Sequence, residues 1–236
     1  MKILLRNSDL NEAILDSSNV GFVPTMGSLH KGHISLIKKS LIYCSKTVVS
    51  IFVNPTQFNK KSDYKKYPRN IKKDLKILKR LKVNFVYTPN KKQIYNFKNK
   101  IRAKLSKKDK ILCAKYRKGH FEGVIDVMDR LTRLIRPKKI FMGEKDFQQI
   151  FLVKKYIEKK YYTKIISCKT IRDKNKLALS SRNLLLGKTA INKARKLTKN
   201  IIALKKKVTK KKNINKILKM KEKELKKIFN ISIEYF

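Results

Sequence analysis

The sequence predicts an α/β fold, a parallel sheet with helices on both faces, followed by a small and mostly helical C-terminal domain. Three observations predict it. Short apolar runs rich in Val, Ile and Phe recur up to about residue 170. Stretches with apolar residues three and four apart separate them. Beyond that point the short runs give way to two long amphipathic stretches in succession. Alternating strand and helix implies parallel strands with crossover helices on the sheet faces.

In order, Val20–Pro24 and Thr47–Val53 read as buried strands, and Lys31–Ser45 between them carries Ile34, Leu36, Ile37, Leu41 and Ile42 on a helical face. The three segments make a βαβ unit. Asn70–Leu81 reads as a helix and Val83–Thr88 as a strand. Phe121, Val124, Ile125, Met128, Leu131, Leu134 and Ile135 mark one stripe of a long helix that must stop before Pro137. Lys139–Met142 is a strand, Asp146–Lys159 a helix and Lys164–Cys168 a strand. Then Ile191, Ala194, Leu197, Ile201, Leu204 and Val208 form one helical stripe, and Ile214, Ile217, Leu218, Leu225, Ile228 and Phe229 a second. Ile231–Phe236 has strand character. The division is therefore a Rossmann-like domain over residues 1–170 and a C-terminal domain over 171–236.

Composition narrows the class. A chain of 236 residues with 42% hydrophobic content is globular rather than disordered. No apolar run is long enough to span a bilayer. The apolar stretch after Lys2 is only three residues, too short for a signal peptide, so a cytoplasmic protein without a membrane partner is expected. Cys44, Cys113 and Cys168 are widely spaced with no CxxC pair, which argues against a zinc site or a disulfide framework.

The 62 basic residues against 16 acidic ones, a net charge of +46, raise the question of nucleic acid. Lysine dominates over arginine and is spread along the chain, and Asn and Ile are plentiful too. All three have A/T-rich codons, so genome composition accounts for the charge. The densest run, 205–212, has neither arginine forks nor aromatic platforms. No specific nucleic-acid partner is expected.

The chemistry concentrates after the first strand, in Pro24-Thr25-Met26-Gly27-Ser28-Leu29-His30-Lys31-Gly32-His33. A helix starting at His30–Gly32 presents free amides and its positive dipole end to an anion, and Gly32 lets the backbone approach a phosphate. His30 and His33, three apart, fall on one side of its first turn, and the chain has only three histidines. His-x-Gly-His in this place resembles the nucleotidylyltransferase superfamily, which transfers a nucleotide's α-phosphate and releases pyrophosphate. The motif alone leaves open a cytidylyltransferase, an aminoacyl-tRNA synthetase or a carboxylate-activating ligase.

Further segments narrow the choice: Val48–Phe58, with Asn54-Pro55-Thr56-Gln57; Tyr67-Pro68-Arg69; Gly119-His120-Phe121-Glu122-Gly123-Val124; Gly143-Glu144-Lys145-Asp146-Phe147-Gln148-Gln149; and Leu177-Ala178-Leu179-Ser180-Ser181-Arg182-Asn183. In this order they resemble the pantothenate synthetase family, closely over residues 20–186. The resemblance implies ATP-dependent, AMP-forming condensation of pantoate with β-alanine through a pantoyl adenylate, with ATP and Mg2+ and a homodimeric assembly. It implies that His33 and His30, with Lys145, are catalytic. It implies that Met26, Gly27, Ser28, Leu29, His30, Lys31, Gly32 and His33 hold the nucleotide, and that Gly143, Glu144, Lys145 and Asp146 meet its ribose and phosphates. Ile171 and Leu179 would frame the adenine, Ser180, Ser181 and Arg182 would fold over the phosphates, and Gln57 and Gln149 would bind pantoate. Neutral amides orient a carboxylate without blunting it as a nucleophile. His120 is read as a structural residue at the helix entry.

Departures from the family pattern are Lys118 where proline is usual, Asp126 where threonine is usual, and Asn175-Lys176 in place of Asp-Gly, which leaves the turn geometry there open. Family members also continue beyond the position of Phe236, so a shortened lid domain is expected. Two alternatives stand beside the ligase: another nucleotidylyltransferase with the same motif, and an inactive nucleotide fold that binds RNA. If the charge is compositional, RNA binding is weak, steeply salt-dependent and indifferent to sequence. Binding to several unrelated RNAs at two salt concentrations checks this. One RNA bound far more tightly than the rest near physiological salt would contradict it.

Overall fold

The computed structural model describes residues 1–95, 104–208 and 213–236, so the lysine-rich run at 205–212 falls outside them at 209–212. The chain divides into two compact units, Met1–Ile171 and Arg172–Phe236.

In the first unit six strands form one sheet: β1 Lys2–Leu4, β2 Val20–Thr25, β3 Lys46–Ile51, β4 Phe85–Tyr87, β5 Lys139–Gly143 and β6 Lys164–Cys168. Their spatial order is β1-β4-β3-β2-β5-β6, and every pairing is parallel. The longer helices are α1 Asn7–Ile14, α2 Lys31–Tyr43, α3 Ile71–Arg80, α4 His120–Ile135 and α5 Phe147–Val153. Side chains alternate across the strands and so face two separate cores. Phe22, Val48 and Ile140 pack in one core with Leu10 of α1, Val124 and Met128 of α4 and Ile150 of α5. Val23, Val49 and Phe141, one position along each strand, pack in the other with Leu36 and Ile37 of α2 and Leu78 of α3. This is the expected parallel α/β sheet with helices on both faces.

Two elements near the N-terminus escaped the sequence reading, as did the short helices Lys61–Lys66, Lys91–Ile94 and Cys113–Tyr116. Strand β1 is three residues long at the sheet edge, and α1 buries only Leu10. The helix expected over Asp146–Lys159 begins as α5, loosens into a π-helical turn at Lys154–Glu158 and closes at Lys159–Tyr161. Two buried aspartates hold this irregular stretch. Asp109 accepts from Lys155 Nζ at 2.7 and 2.9 Å, from Tyr156 at 2.8 Å and from Ser106 at 2.8 Å. Five residues on, Lys160 and Tyr161 grip Asp129 in the same way, with Arg133 at 3.4 Å.

In the second unit α6 (Lys188–Val208) and α7 (Ile214–Phe229) bury Leu204, Leu225 and Phe229. Residues 172–178 form a tight turn closed by an Arg172–Ala178 bridge. Lys176 takes the left-handed conformation, φ 71°, that glycine favours. The Asp173 carboxylate makes the turn instead, accepting the Asn175 and Leu177 amides at 2.8 and 3.0 Å while pairing with Arg195 at 2.9 Å. The strand expected at Ile231–Phe236 is absent, because Asn230 (φ 42°) ends α7 in a left-handed cap and no strand lies beside it among the described residues of this unit. Phe236 instead lines an apolar groove of about 410 Å³ with Ile201, Leu204, Val208 and Leu218.

The aspartate clamps generate a prediction. Asp129→Ala removes the bonds to Lys160 and Tyr161 and should lower stability by about 1 kcal/mol, the net scale of such hydrogen bonds when the partners return to water. Urea unfolding measures it as a lower midpoint at constant slope. An unchanged midpoint would show that the clamp is dispensable.

Candidate functional site

Strand order reverses at β2. The chain runs outward from β2 through β3 to β4, then returns to lay β5 on the other side of β2. At such a reversal the loops leaving the carboxyl ends part and open a crevice. Because all strands are parallel, the loops after β2 (Met26–His30), β3 (Pro55–Gln57) and β5 (Glu144–Asp146) lie along one edge. These three loops carry the histidine motif, the Asn54–Gln57 motif and the Gly143–Gln149 motif.

His30 is the N-cap of α2 and His33 its third residue, and together they close the helix end as a capping box. The Gly32 amide donates to His30 Nδ1 at 3.1 Å, and the His30 amide donates to His33 Nδ1 at 3.3 Å. A ring nitrogen that accepts carries no proton, so both neutral imidazoles hold theirs on Nε2. The rings stack with centroids 4.1 Å apart. Burial, then the neighbouring His30, then Lys145 lower the His33 pKa to about 3, and burial and Lys145 lower that of His30. The pair is thus two neutral N–H donors whose inner nitrogens rest on helix amides, polarised by the helix end.

The backbone here differs from the sequence expectation. Four amides here are engaged: those of His30 and Gly32 go to the rings, and those of Ser28 and Leu29 each donate at 2.7 Å to the carboxylate of Asp74 on α3. With these four amides engaged, the polar groups left open at this end of α2 include the two imidazole edges. Gly32 has a use beyond the one expected. A Cβ there would stand 2.8 Å from His30 Cε1 and 2.9 Å from its Nδ1, so the missing side chain makes room for the His30 ring.

Gln57 follows β3 in a short turn. Its amide donates to Met26 Sδ at 2.9 Å and accepts from Asn54 at 3.2 Å, which brings the first two motifs into contact. Asn54, buried, also donates to the Gly123 carbonyl at 3.0 Å and accepts from Tyr95 at 2.8 Å. Arg130 lies 4.8 Å over the Tyr95 ring and pairs with Asp126 at 2.9 Å. Asp126 is therefore the counter-ion of Arg130. Gly123 allows α4 to touch this turn, since a Cβ there would come 2.4 Å from the Thr56 carbonyl oxygen. His120 is buried, with Nδ1 2.6 Å from the Gln57 carbonyl, which fits its structural reading.

Lys145 is exposed after β5, pairs with Asp146 at 3.0 Å, and lies near enough to both histidines to depress their protonation. Glu144 is exposed beside it, and Gly143 ends the strand. Gln149 is half-buried on α5, next to Gln148, whose amide donates to the Ile111 carbonyl at 2.8 Å. The structure thus gathers Met26 to His33, Gln57 and Lys145, and no hydrogen bond ties Gln149 to them among the described residues. Ile171 is the last residue of the first unit. Leu179, Ser180, Ser181 and Arg182 belong to the second, where the Ser180 hydroxyl caps the short helical turn Ser181–Leu185 by accepting the Arg182 amide at 3.3 Å. Among the described residues no three His, Cys, Asp or Glu side chains converge as a metal site, and no helix is long and apolar enough to cross a membrane.

Sequence reasoning missed Asp74 because its partners are backbone amides 45 and 46 residues away. The available signal was an acid on the stripe of α3 that buries Leu78.

Comparison with known proteins places this geometry in context. The family model described as Pantoate-beta-alanine ligase matches residues 3–236. The pantothenate synthetase of Azobacteroides pseudotrichonymphae genomovar. CFP2 is 40% identical over 245 residues, covering 100% of this chain and 86% of the relative. That of Francisella tularensis subsp. novicida (strain U112) is 43% identical over 191 residues, 80% of this chain and 73% of the relative. Among solved structures, the pantoate-beta-alanine ligase from Francisella tularensis, complexed with beta-gamma ATP and beta-alanine, aligns with a TM-score of 0.81 and 40% identity, covering 84% of this chain and 78% of that one. The pantothenate synthetase from Thermus thermophilus aligns with a TM-score of 0.93 and 30% identity over 100% of this chain and 86% of that one.

The histidine geometry predicts an unusual titration. With its pKa lowered to about 3, where 6.5 is ordinary, His33 stays neutral in the free protein as pH falls from about 8 to about 5. Imidazole nitrogen NMR correlations across that range should keep the Nε2–H pattern. A midpoint near 6.5 would contradict the burial and the capping bond together.

Proposed function

The chain belongs to the pantoate-beta-alanine ligase family and joins pantoate to β-alanine using ATP, and from that premise we propose how its residues carry the reaction. The observation that carries the proposal is the stacked His30–His33 pair with both Nδ1 atoms capped and Lys145 nearby.

The nucleotide enters as MgATP, the ion carried on its phosphates. The Nε2–H groups of His30 and His33 donate to phosphate oxygens, and Lys145 adds a point charge there. Pantoate, oriented by the amides of Gln57 and Gln149, attacks the α-phosphorus through a carboxylate oxygen. The bond to the bridging oxygen breaks and pyrophosphate leaves, giving pantoyl adenylate. The β-alanine amine then attacks the acyl carbon, AMP departs and the amine loses its proton. Neutral donors suit the first step. They stabilise charge that grows on the leaving phosphates without forming an ion pair so strong that product release is slowed.

For Met26–His33 we assign nucleotide contacts and for Gly143–Asp146 the ribose and phosphates. Ile171 and Leu179 are assigned to the adenine, and Ser180, Ser181 and Arg182 to phosphates, on their motifs alone. A homodimer in the cytoplasm completes the proposal. Membership of the family does not favour the alternatives of another nucleotidylyltransferase or an inactive fold that binds RNA.

Pantoate-dependent exchange of labelled pyrophosphate into ATP tests the first half-reaction. His33→Ala should lower it by about two orders of magnitude, the scale for one preorganised donor, with pantoate binding changed much less. Near-full exchange in that variant would remove the assignment.

A further inference from the structure

We propose that Asp74 is the positioning residue of the nucleotide loop: by taking the Ser28 and Leu29 amides it sets the direction in which the His30 and His33 rings point. This rests on reading those rings as the phosphate-contacting groups.

Asp74 sits on the core side of α3, 1% exposed, in a chain where basic residues outnumber acids several-fold. Its two oxygens are nonetheless given one each to backbone amides, both at 2.7 Å. These amides mark a difficult stretch of chain. Gly27 (φ 80°) and Ser28 (φ 53°) are consecutive left-handed residues, a conformation Ser28 adopts only against a steric cost. The two residues turn the chain from the end of β2 into α2. Ser28 and Leu29 are buried, so without an acceptor both amides would be orphaned. The next residue is His30, whose own amide must meet His33 Nδ1 and whose ring must fold onto Gly32. Any rotation of the Ser28–Leu29 peptide is passed on to the His30 amide and from it to both rings.

The geometry calls for a carboxylate in particular. Two N–H donors converge on one side chain, one on each oxygen, and a carboxylate offers an acceptor to both in this arrangement. Asparagine has the same shape but turns an NH₂ group toward one of them. Asp74→Asn therefore changes hydrogen-bond polarity with little change in volume.

In Asp74→Asn, pantoate-dependent pyrophosphate exchange should fall at least about tenfold, the scale of a small misplacement of reacting groups. The KM for ATP should rise while that for pantoate stays within about twofold, a split that general loss of stability does not produce. The imidazole nitrogen signals of His30 and His33 should also drift from the Nε2–H pattern toward a tautomer average. A folded variant with unchanged exchange, unchanged imidazole signals, or equal rises in both KM values would overturn the proposal. In the wild-type protein the Ser28 and Leu29 amides should exchange slowly with deuterium, although they lie in a loop. Exchange at the rate of exposed loop amides would overturn it without any variant. The imidazole and amide measurements need no turnover, so their failure is distinct from a failure of the phosphate-contact reading, which the His33→Ala exchange assay decides.

Discussion

The start of α2 is the constraint on which the site depends. An α-helix leaves its first amides without intrahelical partners, and a nucleotide loop at a strand end has to dispose of them. Here the amides of Ser28, Leu29, His30 and Gly32 are all engaged by side chains. The helix end thus offers no bare backbone from these residues to an anion. Its partial positive charge is presented through two imidazole rings. Ring direction, tautomer and lowered basicity are then one property seen three ways, since a ring pinned by its Nδ1 in a half-buried place has little room for a second proton.

The loop after β3 is fixed by a comparable economy of contacts. Asn54 joins the Gln57 side chain, the Gly123 carbonyl at the start of α4 and the Tyr95 hydroxyl, and His120 secures the Gln57 backbone. Burial pushes the Tyr95 hydroxyl up to about 12 despite its bonds to Thr56 and Asn54, so it remains a donor throughout the physiological range. The side-chain amide of Gln57 is held by Asn54 and Met26, groups that do not titrate near neutrality, and its position is therefore insensitive to pH.

Most of the fold was legible because its signals are local. Strands β2, β3, β5 and β6 are apolar runs, and α4 carries a continuous stripe. Strand β1 and helix α1 were not legible, since three edge residues and a helix with one buried side chain leave almost no pattern. The histidine pair was found from spacing, but its protonation state was not, because that follows from which backbone amides the rings face. Gly32 was noticed for its closeness to a ligand, whereas its room for the His30 ring was not legible, because sequence alone does not show which neighbour a glycine makes space for. Ile231–Phe236 looked like a strand because alternation of side chains says nothing about the presence of a neighbour to pair with.

The π-helical turn at Lys154–Glu158 has a consequence for how this chain tolerates insertion and deletion. A regular α-helix turns about 100° per residue, so residues five apart face different ways. The π turn realigns them, which is why Lys155 with Tyr156 and Lys160 with Tyr161 present the same chemistry to two aspartates on separate elements. Removing one residue between the two pairs would tidy the backbone, yet it would swing the second pair about a quarter-turn off its target. The irregularity is thus a length setting. The span from Lys155 to Tyr161 is thereby held to one count.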